Sequence, residues 1–389
     1  MFNFSEKIDR TNSYCTQWDY VEDRFGEPNL LPFTISDMDF AAPRVVIDAL
    51  QSRIEHPVFG YSRWNHEDFK NAITSWFKTR FDAVLDSEHL VYGPSVIYII
   101  SQLIRHWSNT GQGVIIHTPA YDAFDKMILG LDRTIIANPL RSTSQGFQLD
   151  WHKFESHLAD PNNKILLLCS PHNPTGKVWN IEELNRMAKL CEKYNVAVIS
   201  DEIHMDVCFK PHTPWQGFDM EPRWALVSSA SKSFNIPALN GAYAFIAEEF
   251  ARERYLFNLK QVDGLSSPSI LGVIGLMAAY QNGAPWLDAL KEYLYANHLY
   301  VQQTLSEQLP SIKYQVPDAT YLAWVDLSPL SMDMEALNQC LIKKHKVAIM
   351  QGSTYGEAGK NFVRLNLGCP RSKVEQGLAA LILAIKELA

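Results

Sequence analysis

The chain reads as an α/β protein, with a mostly parallel sheet in a large domain and a smaller α+β domain behind it. Three observations predict this. Short runs that are apolar throughout recur along the middle of the sequence, as strands covered on both faces require. Helical patterns separate those runs, so that strand, helix and strand form parallel crossover units. The last part of the chain carries its own strand patterns and an amphipathic terminal helix.

Residues 1–45 are rich in proline, aspartate and aromatics, and are expected to pack with the smaller domain. The large domain is expected over 46–285. Its strands are predicted at 114–117, 165–169, 196–200 and 224–227. Between the second and third, Asn180 is placed to cap a helix, with Glu183 completing the reciprocal cap. Ile181, Leu184, Met187, Cys191 and Tyr194 then share one apolar face. Repeated units of this kind give an open sheet with helices on both sides, and ligands bind beyond the carboxyl ends of its strands. The smaller domain is expected over 286–389. It is read from strands at 321–325 and 362–365, a loop over 352–359, and a terminal helix capped by Ser372.

Composition narrows the function. At 47% hydrophobic and 20% charged, the 389 residues have ordinary globular make-up. The formal charge of −8 and the lack of a lysine- or arginine-rich run argue against nucleic acid as a partner. Six cysteines include no Cys-x-x-Cys pair, so neither a disulfide framework nor a zinc spacing is present, and no metal is expected. His204, His212 and Cys208 lie close in sequence, without the polarity of a metal site around them. The first twenty residues lack an apolar signal core, and no run nears the ~20 apolar residues of a membrane span. A cytoplasmic location is therefore expected.

The chemistry lies at the predicted strand ends. Tyr121 follows the first strand, Asn173 the second, Asp201 the third, and Ser229, Ser231 and Lys232 the fourth. Alone, each has a plain explanation: Asp201 as a turn cap, Asn173 as a turn residue before proline, Tyr121 as packing, Lys232 as a solvated charge. Together they place an aromatic face, an amide, a carboxylate and an amine at one cleft. Pyridoxal 5'-phosphate needs this set. A lysine amine holds its aldehyde as a Schiff base, and a carboxylate keeps the ring nitrogen protonated, since an opposite charge within ~4–6 Å favours the charged form. The amide meets the ring oxygen and the tyrosine stacks on the ring. Its phosphate suits backbone N–H groups at a helix start. Ser95 and Val96, after Gly93-Pro94, supply such a start, and Ser229 adds a hydroxyl.

Three segments carry a family resemblance: Ser170-Pro171-His172-Asn173-Pro174-Thr175-Gly176, Ser200-Asp201-Glu202-Ile203-His204 and Ser229-Ala230-Ser231-Lys232-Ser233-Phe234-Asn235. They resemble fold-type I pyridoxal-phosphate enzymes of the aspartate aminotransferase superfamily. Ser36-Asp37-Met38-Asp39-Phe40, Gly60-Tyr61-Ser62-Arg63-Trp64, Ala319 to Trp324 and Arg364 to Arg371 point more narrowly to the cystathionine β-lyase and MalY-like group of carbon–sulfur lyases. The likeness runs over nearly the whole chain.

The resemblance implies the aspartate aminotransferase fold and assigns roles. Lys232, Asp201 and Tyr121 form the catalytic set, with Lys232 the Schiff-base lysine. Asn173 meets the phenolate oxygen, and Ser95, Val96, Ser229 and Ser231 surround the phosphate. Arg364 clamps the substrate's α-carboxylate, for which a guanidinium fork is suited. Tyr61 reaches the neighbouring subunit's phosphate, which implies a homodimer with shared sites. Asp37 and Tyr321 stand on the substrate side. Two positions depart from the aminotransferase pattern: His204 replaces a tyrosine that meets the phenolate oxygen, and Asn240 an arginine that binds phosphate. Both departures suit the lyase branch.

The implied reaction is α,β-elimination on a sulfur amino acid, L-cystathionine giving homocysteine, pyruvate and ammonia. An aminotransferase would share every cofactor contact. A third reading is regulatory, because some members of this group modulate a transcription activator. The sequence separates neither the preferred sulfur amino acid nor a partner surface.

Overall fold

The computed structural model describes residues 2–388. Its larger sheet has eight strands. In spatial order they are Leu90–Gly93, Ala242–Ile246, Trp224–Ser228, Ala197–Asp201, Asn163–Cys169, Gly113–Thr118, Thr134–Thr143 and Gly146–Leu149. The central neighbours pair in parallel, while Ala242–Ile246 and Gly146–Leu149 run against their partners. Every residue of the Trp224–Ser228, Ala197–Asp201 and Ala242–Ile246 strands is buried. That burial is why these runs show no alternation.

The helix expected after Asn180 spans Ile181–Lys193 and carries the full reciprocal cap between Asn180 and Glu183. Its apolar face begins one turn later than its sequence suggests. Leu184, Met187, Ala188 and Cys191 are buried, whereas Ile181 is 41% exposed. The helix Val96–Trp107 starts at Ser95, whose Oγ accepts from Tyr98 N at 3.1 Å. Ile99, Ile100, Leu103, Ile104 and Trp107 fix it to the sheet. The turn leading into it needs glycine: a Cβ on Gly93 would lie 2.4 Å from Ile99 Cγ1 and 2.6 Å from Tyr255 Oη. The strand–turn–helix joint thus aims a helix N-terminus at the strand ends.

A second sheet of four strands lies in the order Leu31–Phe33, Val347–Gln351, Phe362–Asn366, Leu322–Asp326. Leu31–Phe33 comes from the N-terminal segment and pairs in parallel with Val347 to Ile349. The terminal helix begins at Arg371, one residue before the expected Ser372 cap, because the Pro370 carbonyl accepts from Lys373 N at 2.8 Å. A helix of 25 residues, Ala284–Gln308, connects the two cores. Trp286, Leu287, Leu290 and Leu294 belong to the core under the large sheet, and Val301 and Leu305 to the core under the small one. Among the described residues, no helix is long and apolar enough to cross a membrane.

Segment 34–40 bonds both to the small sheet and to the loop that follows the Trp224–Ser228 strand. Arg364 donates to the Thr34 carbonyl, and Asn366 Nδ2 to the carbonyls of Ile35 and Asp37. From the other side, Asn235 donates to the carbonyls of Met38 and Phe40 and accepts from Met38 N. Asp39 anchors the segment through a buried ion cluster, with Lys373 Nζ at 2.5 Å and Arg10 at 2.8 Å.

Candidate active site

Parallel strands deliver their carboxyl ends to one place, where a cleft of about 450 Å³ opens. Of the residues singled out in the sequence, Ser95, Val96, Tyr121, Asn173, Asp201, His204, Ser229, Ser231, Lys232 and Arg364 line it. Asn240 does so as well. Asp37, Tyr61 and Tyr321 do not. Asp37 pairs with Arg10 at 2.5 Å. Tyr321 is fully buried and donates its hydroxyl to the Ser36 carbonyl at 2.9 Å. Tyr61 is 99% exposed.

Asp201 is the last residue of its strand rather than the first beyond it, pairing with Cys169 and Val227. One carboxylate oxygen accepts from Ile203 N at 3.1 Å, so the turn-cap reading is also true of it. Burial pushes its pKa up to about 7, against the Ile203 bond and the Lys232 charge, which pull it down. A buried carboxyl poised this way gains most from a cation placed opposite it. Lys232 is the complementary case. Burial brings its amine down to about 8, Arg364 adding to the effect while Asp37 and Asp201 oppose it. The amine donates to the Ser36 carbonyl at 2.7 Å.

Arg364 sits on a central strand of the small sheet, 3% exposed. It donates to Asn173 Oδ1 at 3.2 Å and to the Thr34 carbonyl at 2.6 Å, and its guanidinium lies 4.8 Å over the Tyr355 ring. Its Nε is buried without a partner, which leaves donor capacity for an anion in the cleft. Because Asn173 accepts through Oδ1, its amide nitrogen stays available to donate. His204 is neutral: burial lowers its pKa to about 3, with Lys232 and Arg364 contributing, and its Nδ1 is buried and unpartnered. Ser229 Oγ donates to the Gly241 carbonyl at 2.6 Å and accepts from Ser231 N at 3.1 Å.

These residues fit pyridoxal phosphate. A buried carboxyl without a cationic partner, a depressed amine, an amide with free hydrogens and a capped helix N-terminus surround one space. Four contributors went unread in the sequence. Ser36 acts through its backbone carbonyl, which no side-chain pattern announces. Tyr355 lies in a stretch read only as loop, and Arg24 and Asp122 reach the cleft from elements far apart in sequence. A metal grouping also arises from the fold. Cys340, His345 and Glu387 bring ligand atoms within 4.8 Å of one another, yet line no part of the cleft, and Lys344 already holds that carboxylate at 2.7 Å.

Comparison with known proteins agrees with this geometry. The chain is 56% identical to Protein MalY of Escherichia coli K12 over 388 residues, covering 99% of both chains. It is 32% identical to cystathionine beta-lyase PatB of Bacillus subtilis 168 over 387 residues, 98% of this chain and 100% of that one. The structure of cystalysin from Treponema denticola, which contains a pyridoxal 5'-phosphate cofactor, superposes with a TM-score of 0.94 at 30% identity and covers all of both chains. Residues 28–381 match aminotransferase class I and II. With a matching stretch that includes every residue of the cleft but Arg24, the chain belongs to the aminotransferase class I and II family.

Proposed function

We propose that this chain is a pyridoxal-phosphate-dependent carbon–sulfur lyase that cleaves the Cβ–S bond of a sulfur amino acid, L-cystathionine in the first instance. The observation that carries it is Lys232: an amine with a pKa of about 8, in the same cleft as Asp201 and the Arg364 fork. Full-length similarity to a protein named cystathionine beta-lyase directs that chemistry toward elimination.

When bound, the cofactor supplies an electron sink for the pair released at the substrate's Cα. The residues do the rest. Lys232 holds the cofactor, and Asp201 keeps its ring nitrogen cationic. Asn173 and Tyr121 position the ring. Ser95, Val96, Ser229 and Ser231 hold the phosphate, and His204, being neutral, adds no charge beside the ring. Arg364 grips the α-carboxylate and so sets which Cα substituent faces Lys232. Once displaced by the substrate's amine, Lys232 would take the Cα proton, the Cβ–S bond would break, and the thiolate would depart with the bonding pair and pick up a proton. The three-carbon enamine takes up one water and yields pyruvate and ammonia.

In this reading residues 46–285 bind the cofactor, 286–389 bring Arg364, and 1–45 pack with the latter. Asp37 and Tyr321 act on the substrate side, Tyr321 by holding the Ser36 carbonyl. The protein works as a cytoplasmic homodimer in which Tyr61 completes the neighbour's site. The support is its full exposure in a segment where Ile54, Val58 and Phe59 are also exposed. A transcription-activator partner rests on the family resemblance, and it would survive Lys232→Ala.

The test is to incubate protein with L-cystathionine and no amino acceptor. Sustained pyruvate release supports elimination. A single stoichiometric half-turnover supports transamination instead. Turnover that persists in Lys232→Ala would remove the site assignment altogether.

A further inference from the structure

Charges lining the cleft exceed what a cofactor and one amino-acid head consume. Lys232 and Asp201 address the cofactor, and Arg364 takes the α-carboxylate. Arg24 and Asp122 remain. Arg24 lies on the short helix Val21–Phe25, is exposed, and makes no ion pair among the described residues. Its Nη2 lies 3.8 Å from Met350 Sδ. Met350 is directly opposite Arg364 in the small sheet, so Arg24 stands one strand beyond the carboxylate clamp. Asp122 opens the helix that follows Tyr121, and is held by Lys126 one turn on at 2.6 Å. Lys126 is largely exposed, so that pair contributes little and is readily exchanged for a better cation.

Tyr355 connects the two. Its ring lies under Arg364, and its hydroxyl is pushed up to about 12 by burial, with Arg364 and Arg24 pulling down and Asp122 pushing up. Both outer charges line the same cleft as Tyr355 and the clamp, and the Tyr355 carbonyl accepts from Ala120 N, two residues before Asp122, at 3.0 Å.

We infer that Arg24 and Asp122 form a distal subsite for a second zwitterionic amino-acid head, the one carried by the substrate's leaving thiol. This rests on the elimination reading above. A guanidinium matches the distal carboxylate and a carboxylate the distal ammonium. The substrate class is then a bis-amino acid joined through sulfur, such as L-cystathionine or L-cystine, rather than a simple S-alkyl cysteine. The sulfur atom joins the heads, so one head engages Arg364 while the other extends toward the mouth.

The holoenzyme tests this with two substrates, L-cystathionine and S-methyl-L-cysteine, which lacks the distal head. Arg24→Gln is expected to lower the ratio of their kcat/KM values about tenfold, in keeping with one lost charge-assisted contact. Asp122→Asn should lower it in the same direction, and Arg24→Glu further. A ratio that stays within about twofold in all three variants overturns the inference, whether or not absolute rates change. If the unaltered protein releases no pyruvate from either substrate, the elimination reading fails. Calorimetric titration with L-cystathionine then decides the subsite: weaker binding by Arg24→Gln than by unaltered protein supports it, and equal binding overturns it.

Discussion

Replacing Arg364 by lysine isolates the carboxylate clamp from the charge it carries. The guanidinium donates to Asn173 and Thr34, lies over Tyr355, and keeps a buried Nε without a partner. Lysine preserves the positive charge but offers a point donor, so it cannot keep two protein acceptors and also present a fork to substrate. The α-carboxylate exchanges a two-point contact for at most one. Losing one hydrogen bond to a charged group costs about 1.5–3 kcal/mol, which is roughly a tenfold to hundredfold weakening. Loss of the contact with Tyr355 adds about 0.5–1 kcal/mol, mostly to folding rather than binding. Arg364→Lys should therefore raise KM for L-cystathionine by one to two orders of magnitude, with a smaller fall in kcat, as uniform binding predicts. Pyruvate release coupled to lactate dehydrogenase reads both constants, and the cofactor's absorbance checks its loading. A fully loaded variant whose KM stays within about twofold of the unaltered protein would show that Arg364 does not hold the substrate.

Two further outcomes are expected. Lys373→Met removes the 2.5 Å partner of buried Asp39 and should destabilise the protein by about 2–4 kcal/mol in urea unfolding, Arg10 limiting the loss. Burial alone would raise Asp39, but Lys373, Arg10 and Trp18 outweigh it and hold it below the usual range. A depressed folded-state pKa contributes stability above the unfolded value, lost as pH falls through the folded one. The variant should therefore unfold at a higher pH on acidification, and an unchanged acid midpoint would remove this network from the account. For shared sites, Tyr61→Ala and Lys232→Ala, each inactive alone, should recover up to about a quarter of normal activity when unfolded and refolded together, because hybrid dimers carry one intact site. No recovery, with dimers present by light scattering, would place Tyr61 outside the neighbour's site.

Much of the large sheet was legible because a strand buried on both faces writes its position as an unbroken apolar run. Four such runs led to Tyr121, Asn173, Asp201 and Lys232, and all four residues line one cleft. Two strands with that signature, Leu90–Gly93 and Ala242–Ile246, went unread all the same, and so did strands without it. Thr134–Thr143 carries Pro139 and exposed positions, and Leu31–Phe33 is three residues long with proline at its centre. Neither resembles an isolated strand until a neighbour pairs with it. The Ile181–Lys193 helix was legible down to its cap because a capping box is a local device. The Ser36 carbonyl is the opposite case. Its contacts with Lys232 and Tyr321 come from sequence distances of 196 and 285 residues, and only the assembled fold creates them.

The helix Ala284–Gln308 has a mechanical consequence. At 25 residues it is a rod of about 37 Å, and each half is embedded in a different core. Loosening either core strips half of this rod of its packing, so the clamp-bearing and cofactor-bearing lobes are coupled through it. The two halves of the catalytic apparatus therefore share one mechanical link.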